Sequence, residues 1–188
     1  AIMFVASSPR NAIQLQVGFE FDRIKVAIEG GFKRDGLQLL PPIMAVTLEK
    51  FLLEKHRYNP AIIHFSGHGT NDSLIFSTDT NDFKVVAEDV LKEVFKGISI
   101  TTRCVVLNAC YAANQAKAIS EQGIYVIGMN APIEDSAAIF LSGKFYRALS
   151  DGQSIEEAFF HTKTLLLSEF RNQSKVPELW KNAILQTA

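Results

Sequence analysis

Two short segments of this sequence carry residues fit for covalent chemistry. One is His64-Phe65-Ser66-Gly67-His68-Gly69 and the other is Asn108-Ala109-Cys110-Tyr111-Ala112. Each closes an apolar run, Ala61 to Ser66 in the first and Cys104 to Asn108 in the second, so each reads as the end of a buried strand. If the two strands are neighbours, their axes lie about 4.8 Å apart, and His68 and Cys110 project from one edge of the sheet. A thiol beside an imidazole is the minimal kit for nucleophilic catalysis. The ring favours the thiolate and later hands its proton to the leaving amine. The glycines flanking His68 let the backbone turn sharply and let a substrate come close. A tetrahedral intermediate also needs N–H donors aimed at its oxyanion, and the amides of Gly69 and Cys110 are the expected pair. Cys110 stands where a strand hands over to a helix, whose N-terminal potential further favours the thiolate.

The elements that must position these groups alternate. Ile2 to Ala6 reads as a buried strand, and Phe21, Ile24, Ile28 and Phe32 recur at helical spacing. A short run at Leu37 to Leu40 precedes a second helix marked by Met44, Leu48, Phe51 and Leu52. Leu74 to Phe76 and Phe83 to Val86 form a small hairpin around a polar turn at 78–82. Ala87, Val90, Leu91, Val94 and Phe95 make a helical stripe, and a helix from Ala112 to Gln122 leads to a strand from Ile124 to Gly128. Two further helices follow. The last starts at Ser154 and Glu157, which have capping-box spacing. Strands alternating with helices imply a mostly parallel sheet covered on both faces, in a doubly wound, flavodoxin-like layout. Chemistry in such sheets collects beyond the carboxyl ends of the strands, where His68 and Cys110 fall.

Composition limits the alternatives. The chain has 188 residues, 47% hydrophobic and 21% charged, with 19 basic against 20 acidic residues and a net charge of −1. That is the balance of one domain spanning residues 1–188 with a sizeable core. There is no basic footprint for direct nucleic-acid binding and no apolar run long enough for a membrane. Two cysteines make no disulfide framework, so a reducing, cytoplasmic setting is expected. The chain opens on its first core strand without an initiator methionine, from which a fragment of a longer polypeptide, or a trimmed chain, is expected.

Phe65-Ser66-Gly67-His68-Gly69 with Leu107-Asn108-Ala109-Cys110 resembles the His-Gly and Gln-Ala-Cys boxes of caspases. The caspase interval from histidine to cysteine is about 50 residues; here it is 42, from 110 minus 68. The stretch Gly128-Met129-Asn130-Ala131-Pro132-Ile133-Glu134-Asp135-Ser136-Ala137-Ala138, followed by Phe145-Tyr146-Arg147-Ala148-Leu149, is similar to the prokaryotic, separase-related branch called CHAT domains. The resemblance runs from Ile2 to about Phe170. It implies a three-layer caspase-like sandwich carrying a small β-hairpin insertion. It also implies a cysteine endopeptidase with Cys110 as nucleophile and His68 as general base and acid, needing no cofactor and no metal. Asp135 matches an acidic residue of the pocket for the side chain before the scissile bond. A buried carboxylate there selects Lys or Arg. The family further implies an effector of bacterial defence or programmed death, acting on a protein or peptide substrate and switched on by an attached sensor domain or a partner protein. Two departures stand out: Asn108 replaces a Gln outside the chemistry, and Ala131 stands where many relatives have Trp.

Other readings compete at particular residues. Cys104 reads as a packing residue, and His64, on the same strand face as His68, as a hydrogen-bonded core histidine. A zinc site is disfavoured because His64 and His68 on a strand are about 13 Å apart. Asp135 either lines the pocket or caps a helix starting at Ser136. Ser8 borders the site and either contacts substrate or belongs to a plain loop. Rival functions for the whole chain are a non-catalytic scaffold on the same fold and a small-molecule cysteine hydrolase.

Overall fold

The computed structural model describes residues 1–97 and 100–187. The first strand, β1 (Ile2–Ser7), is buried at all six positions, as a strand covered on both faces must be. The second long strand, β2 (Ile62–Gly67), is equally buried. With β6 (Cys104–Asn108) and β7 (Tyr125–Met129) they form a parallel block in the order β1-β2-β6-β7. The run near Leu37 to Leu40 lies outside β1, through parallel bridges from Ile2 to Leu39 and from Val5 to Ile43. The sheet therefore grows from β1 in both directions. This is the expected doubly wound layout.

Alternation along the strands supplies two cores. Met3, Val5, Ile63, Phe65, Val105 and Leu107 point to one face. There α2 (Leu48–Tyr58), α3 (Glu88–Phe95) and α4 (Ala113–Ser120) cover them. Ile2, Phe4, Ile62, Cys104 and Val106 point to the other, beneath α1 (Val17–Glu29), α5 (Asp135–Ser150) and α6 (Ile155–Glu169). The expected hairpin is β4 (Ser73–Ser77) with β5 (Phe83–Ala87), and β3 (Gly69–Thr70) joins it as a third strand. The expected capping box opens α6: Ser154 Oγ accepts from the Glu157 amide at 3.2 Å, and Glu157 Oε2 accepts from the Ser154 amide at 2.8 Å.

Three details depart from the sequence reading. The α1 helix ends at Glu29 because Gly30-Gly31 follows, leaving Phe32 outside it and 88% exposed. The α2 helix begins only at Leu48, where Thr47 Oγ1 accepts from the Lys50 amide, so Met44 precedes it. After α6 the chain returns as β8 (Pro177–Lys181), antiparallel to β7, and turns into β9 (Ile184–Leu185). These strands escape a periodicity reading because Pro177-Glu178-Leu179-Trp180-Lys181 has no continuous apolar run and β9 is only two residues long. Proline is tolerated at the first position of such a strand.

Candidate active site

The last residues paired between β2 and β6 are Ser66 and Asn108. His68 and Cys110 each lie two residues beyond that pair, at equivalent steps past adjacent strands. The backbones stay close there, since a Cβ built on Gly69 would stand 2.6 Å from the Cys110 carbonyl oxygen. Gly67 is similarly confined, 2.8 Å from the Ser7 carbonyl oxygen. Neither glycine adopts a left-handed backbone. Close approach of protein backbone, rather than a sharp turn, is what requires them.

Past Cys110, the chain turns into α4 through Tyr111, whose φ is +58°. A bulky residue in the left-handed region is strained, by on the order of 1–3 kcal/mol. That turn brings Cys110 to the sheet edge, half-buried, while Cys104 at the start of β6 is fully buried. Burial pushes the Cys104 thiol well above its ordinary range, which fits its reading as a packing residue.

His68 is held by a group that no side-chain pattern points to. Its Nε2 lies 2.7 Å from the Ile13 carbonyl oxygen. A carbonyl can only accept, so Nε2 carries the hydrogen and Nδ1 is left free. The 8–16 loop that supplies this carbonyl is itself stapled. Gln14 Nε2 donates to Pro9 O at 2.8 Å and Ala12 O at 3.1 Å. Ser8 Oγ accepts from the Leu15 amide at 3.2 Å, and Arg10 pairs with Asp82 of the hairpin turn at 3.1 Å. Ser8 is thus a loop-shaping residue bordering the site.

The two expected oxyanion donors are positioned by pairing rules. The Ile75 amide donates to His68 O at 3.0 Å, while Gly69 faces Leu74 across the antiparallel β3–β4 pair. Hydrogen-bonded and non-bonded pairs alternate along such a ladder, so the Gly69 N–H points away from β4. Among the described residues the Cys110 amide has no acceptor in the turn and loop network.

Beneath these groups lies a polar cluster absent from the sequence reading. Glu20 of α1 is 3% exposed and accepts four hydrogen bonds. The donors are His64 Nε2 at 3.1 Å, Ser66 Oγ at 2.5 Å, Asn108 Nδ2 at 2.5 Å and Ser142 Oγ at 2.6 Å. His64 Nδ1 meets the Tyr146 hydroxyl at 3.1 Å. Burial alone would raise the Glu20 carboxyl pKa, but attraction to the His64 ring and the hydrogen bonds outweigh it and hold the group below its ordinary range. His64 is therefore the hydrogen-bonded core histidine. Asn108 stays outside the chemistry yet anchors the end of β6.

Asp135 is half-buried at the first turn of α5, not enclosed in a pocket. It does not cap its own helix, whose N-cap is Glu134. Its Oδ2 accepts instead from the amide of Gln16, the N-cap of α1, at 3.2 Å. Of five surface cavities of about 410 to 510 Å³, the one of about 510 Å³ lies beside Asp135, lined by Gln16 and Ser136, but none of the five is lined by His68, Cys110 or Asp135 itself. Among the described residues no group of three or more His, Cys, Asp or Glu could hold a metal ion, and no helix is long and apolar enough to cross a membrane.

Comparison with known proteins adds to this geometry. A curated protein described as a probable protease, from Gillisia limnaea, is 28% identical over 176 residues, covering 91% of this chain and 31% of that protein. A Roc-COR-CHAT protease from an unknown prokaryotic organism is 24% identical over 163 residues, covering 82% of this chain and 15% of the relative. The chain thus spans about a third or less of the length of the curated relatives it matches. Among solved structures, it is similar to the crystal structure of the Arg-specific cysteine proteinase gingipain R. The TM-score is 0.61 at 10% identity, covering 92% of this chain and 43% of that one, a likeness of fold. The expected caspase-like α/β sandwich is the architecture found. The model of the CHAT domain matches residues 27–186, past the Phe170 at which the sequence resemblance faded and into the edge strands. The chain belongs to the CHAT domain family.

Proposed function

We propose that this chain is the proteolytic domain of a cysteine endopeptidase. The observation that supports the reading is the pairing of Ser66 with Asn108, with His68 and Cys110 each two residues beyond that pair on adjacent strands. Nδ1 of His68 is the nitrogen left for the thiol, because Nε2 is bound to Ile13. In the proposed cycle, Cys110 gives up its proton to His68 and its sulfur adds to the scissile carbonyl. The Gly69 and Cys110 amides hold the oxyanion, and His68 protonates the departing amine. Water, activated by His68, then hydrolyses the thioester and frees the carboxylate.

Asp135 is proposed to select Lys or Arg before the scissile bond. Its second oxygen is available for a cation, and it stands on the element next to the loop that orients His68. The domain is proposed to be a regulated effector in bacterial defence or programmed death, working in the cytoplasm. One feature supports regulation: the protease-named relatives carry far more chain than this domain. A sensor segment or partner protein would then act by moving the 8–16 loop that holds His68.

A Lys- or Arg-containing peptidyl electrophile tests the reading. Covalent labelling at Cys110, lost in both Cys110→Ala and His68→Ala, is the expected result. No labelling of the whole protein in the presence of its activating partner would favour the non-catalytic scaffold.

A further inference from the structure

We infer that the buried Glu20 is a positioning residue that registers the proposed dyad, an inference resting on the peptidase reading above. The elements that lead to His68, Cys110 and Asp135 each send a side chain to this one carboxylate. Ser66 precedes His68 by two residues and donates to Oε2; Asn108 precedes Cys110 by two residues and donates to Oε1. The α5 helix, which begins at Asp135, contributes Ser142 to Oε1. Glu20 belongs to α1, the helix that follows directly on the loop whose Ile13 carbonyl holds His68.

Strand pairing alone does not fix the site so tightly. The β2–β6 register ends at Ser66 and Asn108, and both catalytic candidates lie beyond it. A shared acceptor just inside that frontier ties the two strand ends to each other and to the two helices behind them. Full satisfaction matters here, because a buried carboxylate that loses one donor gains no water in exchange. The cluster thus makes one unit of the loop, both strands and α5. Any displacement of α1, by an activator or by mutation, reaches His68 both through Ser66 and through the Ile13 carbonyl.

Site-specific alkylation of Cys110 by iodoacetamide, followed by mass spectrometry on the full-length protein near neutral pH, tests this without knowledge of the substrate. His68→Ala is the reference. It should slow alkylation roughly tenfold or more by removing the base beside the thiol. Glu20→Gln, which keeps the volume but turns an amide NH2 toward groups that donate, should slow it on the order of fivefold by displacing that base. Ser66→Ala and Ser142→Ala each remove a single donor and should slow it about two- to threefold; they carry the test if Glu20→Gln fails to fold. Phe159→Leu, a core change on α6 outside the cluster, should lower Tm and leave the rate unmoved. If His68→Ala slows alkylation and the cluster variants that fold do not, the inference falls and the peptidase reading stands. If His68→Ala itself has no effect, the peptidase reading falls and takes this inference with it.

Discussion

The Nε2–H of His68 donates to the main-chain carbonyl of Ile13 at 2.7 Å, so a backbone oxygen, not a carboxylate, orients the proposed base. This contact fixes the tautomer. Ring 15N spectra of the neutral histidine should show hydrogen on Nε2 and none on Nδ1. Gln14→Ala, which removes two of the loop's staples, should loosen the contact and raise the Nδ1–H fraction. A dominant Nδ1–H tautomer in the unmodified protein would mean that the free nitrogen faces away from Cys110.

Two glycine substitutions should act in opposite directions. A methyl group on Gly69 would meet the Cys110 carbonyl oxygen at 2.6 Å and the Ala109 Cβ at 3.3 Å, and backbone cannot yield as a flexible side chain does. Gly69→Ala should cost roughly 1–3 kcal/mol and abolish electrophile labelling at Cys110. Gly143, inside α5, has nothing within 4 Å of a built Cβ. Gly143→Ala should therefore be neutral or stabilise the helix by about 0.5–1 kcal/mol. Thermal melts compare the pair, and a benign Gly69→Ala would contradict the close backbone approach.

Asp135 has a structural duty as well as its proposed one, and the two can be separated. Asp135→Asn keeps an oxygen for the Gln16 amide, so Tm should change little. Loss of the charge should reduce cleavage of Arg and Lys reporters by roughly 10- to 100-fold relative to neutral ones, the value of a charge-assisted hydrogen bond. If Asp135→Asn and Asp135→Ala both retain the basic preference, Asp135 serves only to hold Gln16, and specificity lies elsewhere.

The reach of the sequence can be judged from particular residues. The strands that lead to His68 and Cys110 were legible because a buried strand announces itself by local composition and its end by the polar and glycine residues that follow. Ile13 was not legible, since its contribution is a carbonyl that every residue possesses. Glu20 was hidden because its partners lie 44 to 122 residues away along the chain. One signal did exist: Glu20, Ile24 and Ile28 share the buried stripe of α1, and a charge on an apolar stripe demands a partner. The same logic separates His64 from His68. Both follow apolar strand residues, but only His64 lies inside the paired region, where an acceptor must be supplied by a neighbouring helix.

Thiol counting tests the different fates of the two cysteines. Cys104 has no exposed surface, and burial drives its thiol upward, disfavouring the reactive thiolate. Cys110 is half-buried at the sheet edge. A water-soluble maleimide should label one equivalent in the native protein and a second only after denaturation. Cys110→Ala should reduce the native count to zero and Cys104→Ala should leave it at one. Two fast equivalents in the wild-type protein would contradict the packing around Cys104.

The buried carboxylate also predicts how stability responds to acid. Glu20 is held below its ordinary value of 4.5 in the folded state, so the unfolded chain binds its proton first as pH falls. Its contribution is present in full above the unfolded value and is lost as pH drops through the folded one. Urea melts should therefore show stability declining with acidification below about 4.5, with part of that slope belonging to this one group. Glu20→Gln cannot titrate. It should be less stable at neutral pH, by about 3–5 kcal/mol for a buried charge pair broken on one side, and its decline below 4.5 should be shallower. An acid slope identical in both proteins would show that Glu20 carries the same proton folded and unfolded, contrary to a carboxylate held ionised by His64 and its three other donors.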